Sequence, residues 1–145
     1  MPLTTPPLSG VRAAVAALES AGLEVALGGS GLLAAHGLVE RVNDWDLTTD
    51  APVDAVLEAL FAAELPVFAA RDGAPDEAPH ASRALFSLRG SVDLIVGFAL
   101  LDSDGTRIPL PTRVTGHWNT LPLGDLAVWR QAYTLLGHPT LTSTR

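Results

Sequence analysis

The stretch Val25-Ala26-Leu27-Gly28-Gly29-Ser30-Gly31, followed at a short distance by Asp44-Trp45-Asp46-Leu47, decides the fold. Leu23 to Leu27 is a short apolar run and reads as a strand. Gly28 to Gly31 punctuate it, and a short helix from Leu32 to about His36 follows, ended by Gly37. Asp44 to Thr49 begins by alternating polar and apolar residues, the pattern of a half-buried strand. Residues two apart on a strand share a face, so Asp44 and Asp46 are expected to project together while Trp45 and Leu47 enter the core.

Outward from this centre, helices and strands interleave. Ser9 is a candidate N-cap for a helix over Gly10 to Ala21, with Val11, Ala14, Val15 and Leu18 at helical spacing and Gly22 as its stop. Asp50 reads as the cap of a second long helix, with Pro52 in its first turn and Val53, Val56, Leu57, Leu60 and Phe61 on one face. Leu65 to Ala70 reads as a strand and Arg71 to Ala81 as a surface loop. Ala84 to Arg89 and Ser91 to Phe98 form an antiparallel hairpin joined at Gly90. Asp102 to Gly105 is a turn; a calcium loop fails there because its twelfth position is Arg113. Arg107 to Val114 is extended, and Pro122 precedes a last helix over 123–136, with Leu126, Trp129, Tyr133 and Leu136 on one side. The expected fold class is α/β (α+β), a mixed β-sheet flanked by helices around one core.

Composition narrows the classes of function. The chain has 145 residues, 48% of them hydrophobic, which fits one ordinary domain over 1–145 with a Pro-rich start at 1–8. There is no cysteine, so disulfides, thiolate zinc sites and thiol nucleophiles are excluded. No apolar run approaches the ~20 residues that span a bilayer, and the first residues do not read as a signal peptide. A cytoplasmic location is therefore expected. All 9 basic residues are arginine, and the net charge of -7 argues against gripping a long phosphate backbone.

Three acids carry the chemistry. Asp93 sits in the apolar run Val92 to Phe98, where a charge is costly to bury. If its strand lies beside that of Asp44 and Asp46, the carboxylates converge and their pKa values rise unless a cation compensates. Magnesium suits such a site, since it takes one or two carboxylates together with waters and substrate phosphates. The glycine turn lies between a strand and a helix start, where backbone N–H groups favour a phosphate. Taken alone, it is equally a simple turn.

This order of strand, Gly-Gly-Ser, short helix, Asp-x-Asp and later lone Asp resembles the nucleotidyltransferase superfamily. The resemblance spans about 23–98 and implies a mixed sheet whose site uses two magnesium ions to transfer a nucleoside monophosphate from an NTP. It implies that Asp44 and Asp46 hold metal and that Asp93 holds metal or activates the acceptor hydroxyl. It further implies that Gly28, Gly29 and Ser30 hold the triphosphate of an NTP such as ATP, with Arg41 as an electrostatic aid. The acceptor is unidentified, and a small molecule or protein hydroxyl is favoured over long nucleic acid. The 145 residues are not expected to hold the second helical domain common in such enzymes, so a scaffold that binds nucleotide or a protein partner without turnover is one alternative. A homodimer or a complex with another protein also stays open. A second alternative is a Rossmann-like dinucleotide site, with Gly29-Ser30-Gly31-Leu32-Leu33-Ala34 as the fingerprint and Asp50 near the ribose position. His36 reads as a core histidine, and His117 and His138 as packing or capping residues.

Overall fold

The computed structural model describes residues 5–72 and 80–137. The elements run α1 (Leu8–Ser20), β1 (Ala26–Gly28), α2 (Gly29–Ala35), β2 (Trp45–Thr49), α3 (Val53–Ala62), β3 (Val67–Asp72), β4 (Ala84–Leu88), β5 (Val92–Val96), β6 (Ala99–Leu101), β7 (Arg107–Pro109), β8 (Gly116–Trp118), β9 (Leu121–Leu123) and α4 (Leu126–Leu136). Seven strands form one mixed sheet in the order β3-β4-β5-β2-β1-β9-β8, and β6 and β7 form a separate hairpin. β2 is antiparallel to β1 and parallel to β5, while β4 and β5 pair antiparallel. This is the expected mixed sheet with four helices.

One face of the sheet is the core. Ala84, Phe86 and Leu88 alternate inward from β4, and Val92, Leu94 and Val96 from β5. Trp45 and Leu47 of β2 join them as expected, both fully buried. Val11, Ala14, Val15 and Leu18 of α1 and Val56, Ala59 and Leu60 of α3 complete the cluster. The indole N–H of Trp45 donates to the Pro7 carbonyl at 3.1 Å, which settles the one polar atom of the largest buried side chain. Gly22 stops α1 with φ +76, and the N–H groups of Gly22 and Leu23 return to Glu19 and Leu18.

Several local expectations are corrected. α1 starts one residue before Ser9, with Pro7 as its N-cap and no side-chain cap. The N-cap of α3 is Pro52, and the Asp50 carboxylate instead accepts the Thr112 N–H at 2.9 Å. Leu57 and Phe61 face solvent, Phe61 at 85% exposure, because only the Val56, Ala59 and Leu60 side of α3 meets the sheet. Arg71 and Asp72 extend β3; most of the expected loop, like the first residues of the chain and His138, lies outside the described residues. The last helix begins at Leu126 with the Asp125 side chain as its cap at 2.9 Å, and Pro122 sits inside β9. The β8–β9 hairpin was not expected. Its turn is Asn119-Thr120 with φ values of 52 and 66, a backbone that Thr seldom signals. His36 ends α2 exposed to solvent, and His117 is exposed on β8.

The Rossmann-like alternative fails on topology. A dinucleotide fold needs parallel β1 and β2 joined by a crossover, whereas here they are antiparallel neighbours with a seven-residue α2 between them. Among the described residues, no helix is long and apolar enough to cross a membrane.

Two glycines separate steric from conformational demand. A Cβ at Gly28 would run into the indole of Trp129, whereas a Cβ at Gly37 (φ +74) meets nothing within 4 Å. Gly28→Ala is expected to lower unfolding stability by roughly 2–3 kcal/mol through overpacking. Gly37→Ala should lower it by only about 1 kcal/mol through its left-handed backbone. Urea unfolding followed by tryptophan fluorescence checks the order; equal losses would mean that Trp129 does not depend on the space above Gly28.

Candidate active site

The acids sit on the sheet face opposite the α1/α3 core. Asp46 of β2 is in register with Gly28 of β1 on one side and with Asp93 of β5 on the other. Neighbouring strands lie about 4.8 Å apart, so the two half-buried carboxylates stand roughly one strand spacing from each other. The row continues to Ser87 of β4, in register with Asp93, and to Ala69 of β3. Asp44 precedes β2 rather than lying on it; it occupies an exposed bend at the lip of the row. The convergence expected from sequence is therefore adjacency of Asp46 and Asp93, with Asp44 at the edge. Among the described residues, no group of three or more His, Asp or Glu side chains is close enough to hold a metal ion by itself.

Asp46 bears the electrostatic cost. Its pKa is pushed up from 3.8 to about 7, first by burial and then by the negative charges of Asp93 and Asp44. Tyr133 of α4 is pushed up to about 12 by burial and by Asp46, so the phenol stays neutral beside the carboxylate.

The glycine turn has a more intimate role than sequence reasoning assigned. Gly29 to Gly31 form the first turn of α2, with no intervening loop. Gly29 has φ +57, and a Cβ there would strike the Asp46 carboxylate oxygen and lie 3.0 Å from its carbon. A Cβ at Gly31 would also be crowded, 2.9 Å from the Leu27 side chain and 3.1 Å from that of Trp45. Ser30 ties the acid lip to α2: its hydroxyl accepts the Asn43 N–H at 3.1 Å and donates to the Asp44 carbonyl at 3.4 Å. Arg41 is exposed on the segment leading to that lip.

The sequence pattern places Trp129 and Tyr133 on one side of the last helix without linking them to the acids. Trp129, 5% exposed, lies against Gly28 and packs on Phe98 at 5.0 Å between centroids, with Tyr133 at 5.9 Å. The helical i, i+4 spacing was legible; the register that brings Gly28 beneath Trp129 was not.

The donor set fits a hard divalent cation. Two carboxylates on adjacent strands repel one another when bare, and this adds to the burial that chiefly keeps the Asp46 proton to near neutrality. Asp46 and Asp93 would supply oxygen ligands, with waters and a substrate phosphate completing the shell.

Comparison with known proteins agrees on architecture. No family model matches the chain, and no curated protein matches it. Among solved structures, a Thermotoga maritima protein named provisionally as a nucleotidyltransferase is similar at 20% identity with a TM-score of 0.62. The match covers 91% of this chain and 85% of that one. The chain has a nucleotidyltransferase-like fold.

The raised Asp46 pKa has a sign that can be checked. Between about pH 4 and 7 the native state holds a proton that the unfolded chain has released. Native stability from this group is therefore full below pH 4, falls as pH rises to 7, and is flat above. The loss is at most roughly 4 kcal/mol. In chelator, the wild type should be more stable at pH 5 than at pH 8, and Asp46→Asn should flatten that difference. Magnesium at pH 8 should restore the wild type. Urea midpoints at both pH values test this, and a slope unchanged in Asp46→Asn would place the titration elsewhere.

Proposed function

We propose that the chain is a metal-dependent nucleotidyltransferase that moves a nucleoside monophosphate from an NTP to an acceptor hydroxyl. The observation that carries this reading is the in-register pair Asp46 and Asp93, with Asp46 packed over the left-handed Gly29 at the start of α2. A phosphate-favouring turn and a cation-favouring acid pair thus share one spot.

In this reading Asp46 and Asp93 hold magnesium, and Asp44 at the lip contributes to it or to a second ion. The metal, when bound, neutralises charge on the phosphates and holds them for in-line displacement. Gly28, Gly29 and Ser30 offer backbone N–H groups at a helix start that has no side-chain cap. The Ser30 hydroxyl is engaged with the 43–44 backbone, so its role is to hold the lip. Arg41 supplies positive charge from the same side. The acceptor oxygen bonds to the α-phosphorus, its proton passes to Asp93, and the α–β bridging bond breaks as pyrophosphate leaves. ATP is the first NTP to test, and a small molecule or protein hydroxyl is the acceptor class that the acidic surface favours.

A second reading is a scaffold that binds nucleotide without turning it over. It is favoured by the absence, among the described residues, of three acids gathered around one point.

Calorimetric titration with a non-hydrolysable ATP analogue in magnesium tests both readings. Micromolar binding by the wild type, lost at least tenfold in Asp46→Asn and in chelator, is the expected result. Binding unchanged in Asp46→Asn would remove the site. Binding without pyrophosphate release from ATP, across an acceptor panel, would select the scaffold.

A further inference from the structure

Two of the chain's four phenylalanines stand in solvent around Leu65 and Pro66, which join α3 to β3. Phe61 is 85% exposed and Phe68 60%. Ala59, Ala62 and Ala63 border a groove against α1, so Leu57 and Phe61, one turn apart, fall on the other flank of α3. Phe61 lines a hollow with Leu65 and Pro66. Arg89 lines a second hollow with the same two residues, and its guanidinium lies 5.4 Å from the centre of the Phe68 ring. The two rings therefore belong to one continuous surface, of the apolar kind that marks an interaction site.

That surface is complementary to itself. The second hollow, of about 230 Å³, lies between Ser9, Gly10 and Ala13 of α1 and Leu65, Pro66 and Arg89. A cavity of about 150 Å³ holds a benzene ring, so this one has room for a phenyl side chain. A protruding ring and a hollow on either side of Leu65 and Pro66 suit a two-fold interface, in which each copy gives its ring and receives the other's.

Charge and area agree with a second copy. The two hollows hold one acid, Glu64, and one base, Arg89, in a chain of net charge -7. Glu58 is exposed at the rim on α3, and Arg12 is turned to the Asn119 carbonyl. Two copies thus meet here with little net repulsion. At about 200 Å² per aromatic side chain, the two rings expose roughly 300 Å² per copy. A pair would bury about 600 Å² from the rings alone, against the ~1,000 Å² that a specific interface clears, and Leu57, Leu65, Pro66 and the hollow walls add to it. An extended peptide fits less well. β3 is the sheet edge, but its register shifts between Val67 and Ala69, which spoils the ladder for a further strand.

We propose that the chain forms a two-fold dimer through this surface, with Phe61 of each copy seated in the other's hollow at Ala13. Leu65 and Pro66 lie at the axis. The acid row is on the other face of the sheet and stays open in both copies, so the dimer does not depend on the nucleotidyltransfer reading.

Sedimentation equilibrium on the full chain, from about 1 to 200 µM, tests the assignment. The wild type should associate reversibly to a dimer within that range. Phe61→Ser, which removes the ring, and Ala13→Glu, which blocks the hollow, should each raise the dimer Kd at least tenfold. Both positions are exposed, and urea midpoints near that of the wild type confirm that the variants fold. The two variants are then mixed. One keeps its hollow and the other its ring, so the mixed pair regains one of the two contacts and should associate more tightly than either variant alone. A wild type still monomeric at 200 µM would overturn the dimer and leave the surface to a different protein. A dimer indifferent to Phe61→Ser, or a mixture no tighter than its components, would put the contact elsewhere and overturn it equally.

Discussion

The contact between Asp46 and the Cα of Gly29 is the constraint around which the acid face is built. A side chain at residue 29 would collide with the carboxylate, and the backbone there is left-handed. The glycine turn and the acid pair are therefore one structural unit joined by register: Gly28 pairs with Asp46, which pairs with Asp93. The arrangement is costly. Burial and two like charges hold the Asp46 pKa near neutrality, a burden that a purely structural sheet would shed by replacing either acid. Clusters of shifted pKa values of this kind mark functional sites more often than structural ones.

The remainder of the molecule can be read as support for that unit. The α1 and α3 layer buries Trp45, Leu47, Leu94 and Phe86 on the far face, which leaves the acid face free of core packing along β2, β5 and β4. α4 reaches that face at the β1 end, where Trp129 needs the space that Gly28 leaves. Ser30 and the 112 segment bind two further boundaries, the first through Asn43 and Asp44, the second through Thr48 and Asp50. Each boundary is a hydrogen bond or a contact between residues far apart in sequence, so the site's shape depends on the whole sheet being formed.

What was legible in the sequence follows from the range of the forces involved. Period-two alternation exposed the β4–β5 hairpin and the inward course of Trp45 and Leu47, because side-chain direction along a strand is a local property. The Gly22 and Gly37 stops were legible because a left-handed C′ residue is encoded by glycine itself. The acid and glycine motifs marked a candidate site, yet their geometry was not readable: whether Asp44 lies on β2 or before it depends on where the Ser91 carbonyl receives the Trp45 N–H. Asp50 was misread as a cap because its partner, Thr112, is 62 residues away. Phe61 was placed inward because the helical pattern marks an apolar stripe without saying how much of that stripe the sheet is wide enough to cover. The β8–β9 hairpin escaped because Asn119-Thr120 carries a positive-φ turn without the glycine that normally signals one.

Charge supply sharpens what the site must do if it takes a triphosphate. The chain has no lysine, and several arginines are committed to the fold. Arg12 donates to the Asn119 carbonyl at 3.1 Å, Arg83 to the Asp50 carbonyl at 2.9 Å and Arg107 to the Ala81 carbonyl at 3.3 Å, while Arg113 lies 3.5 Å from the Asp125 carboxylate. Arg41 stands on the segment that leads into the acids. Nearly all of the compensation for a triphosphate would then fall to a divalent cation and to backbone N–H groups of α2. Such a site would take nucleotide more readily with metal than without it, since Asp46 and Asp93 stand side by side in register. Nucleotide and metal affinity would on this account be coupled through the same two carboxylates, whose burial and mutual repulsion, already visible in the raised pKa of Asp46, a bound cation would relieve.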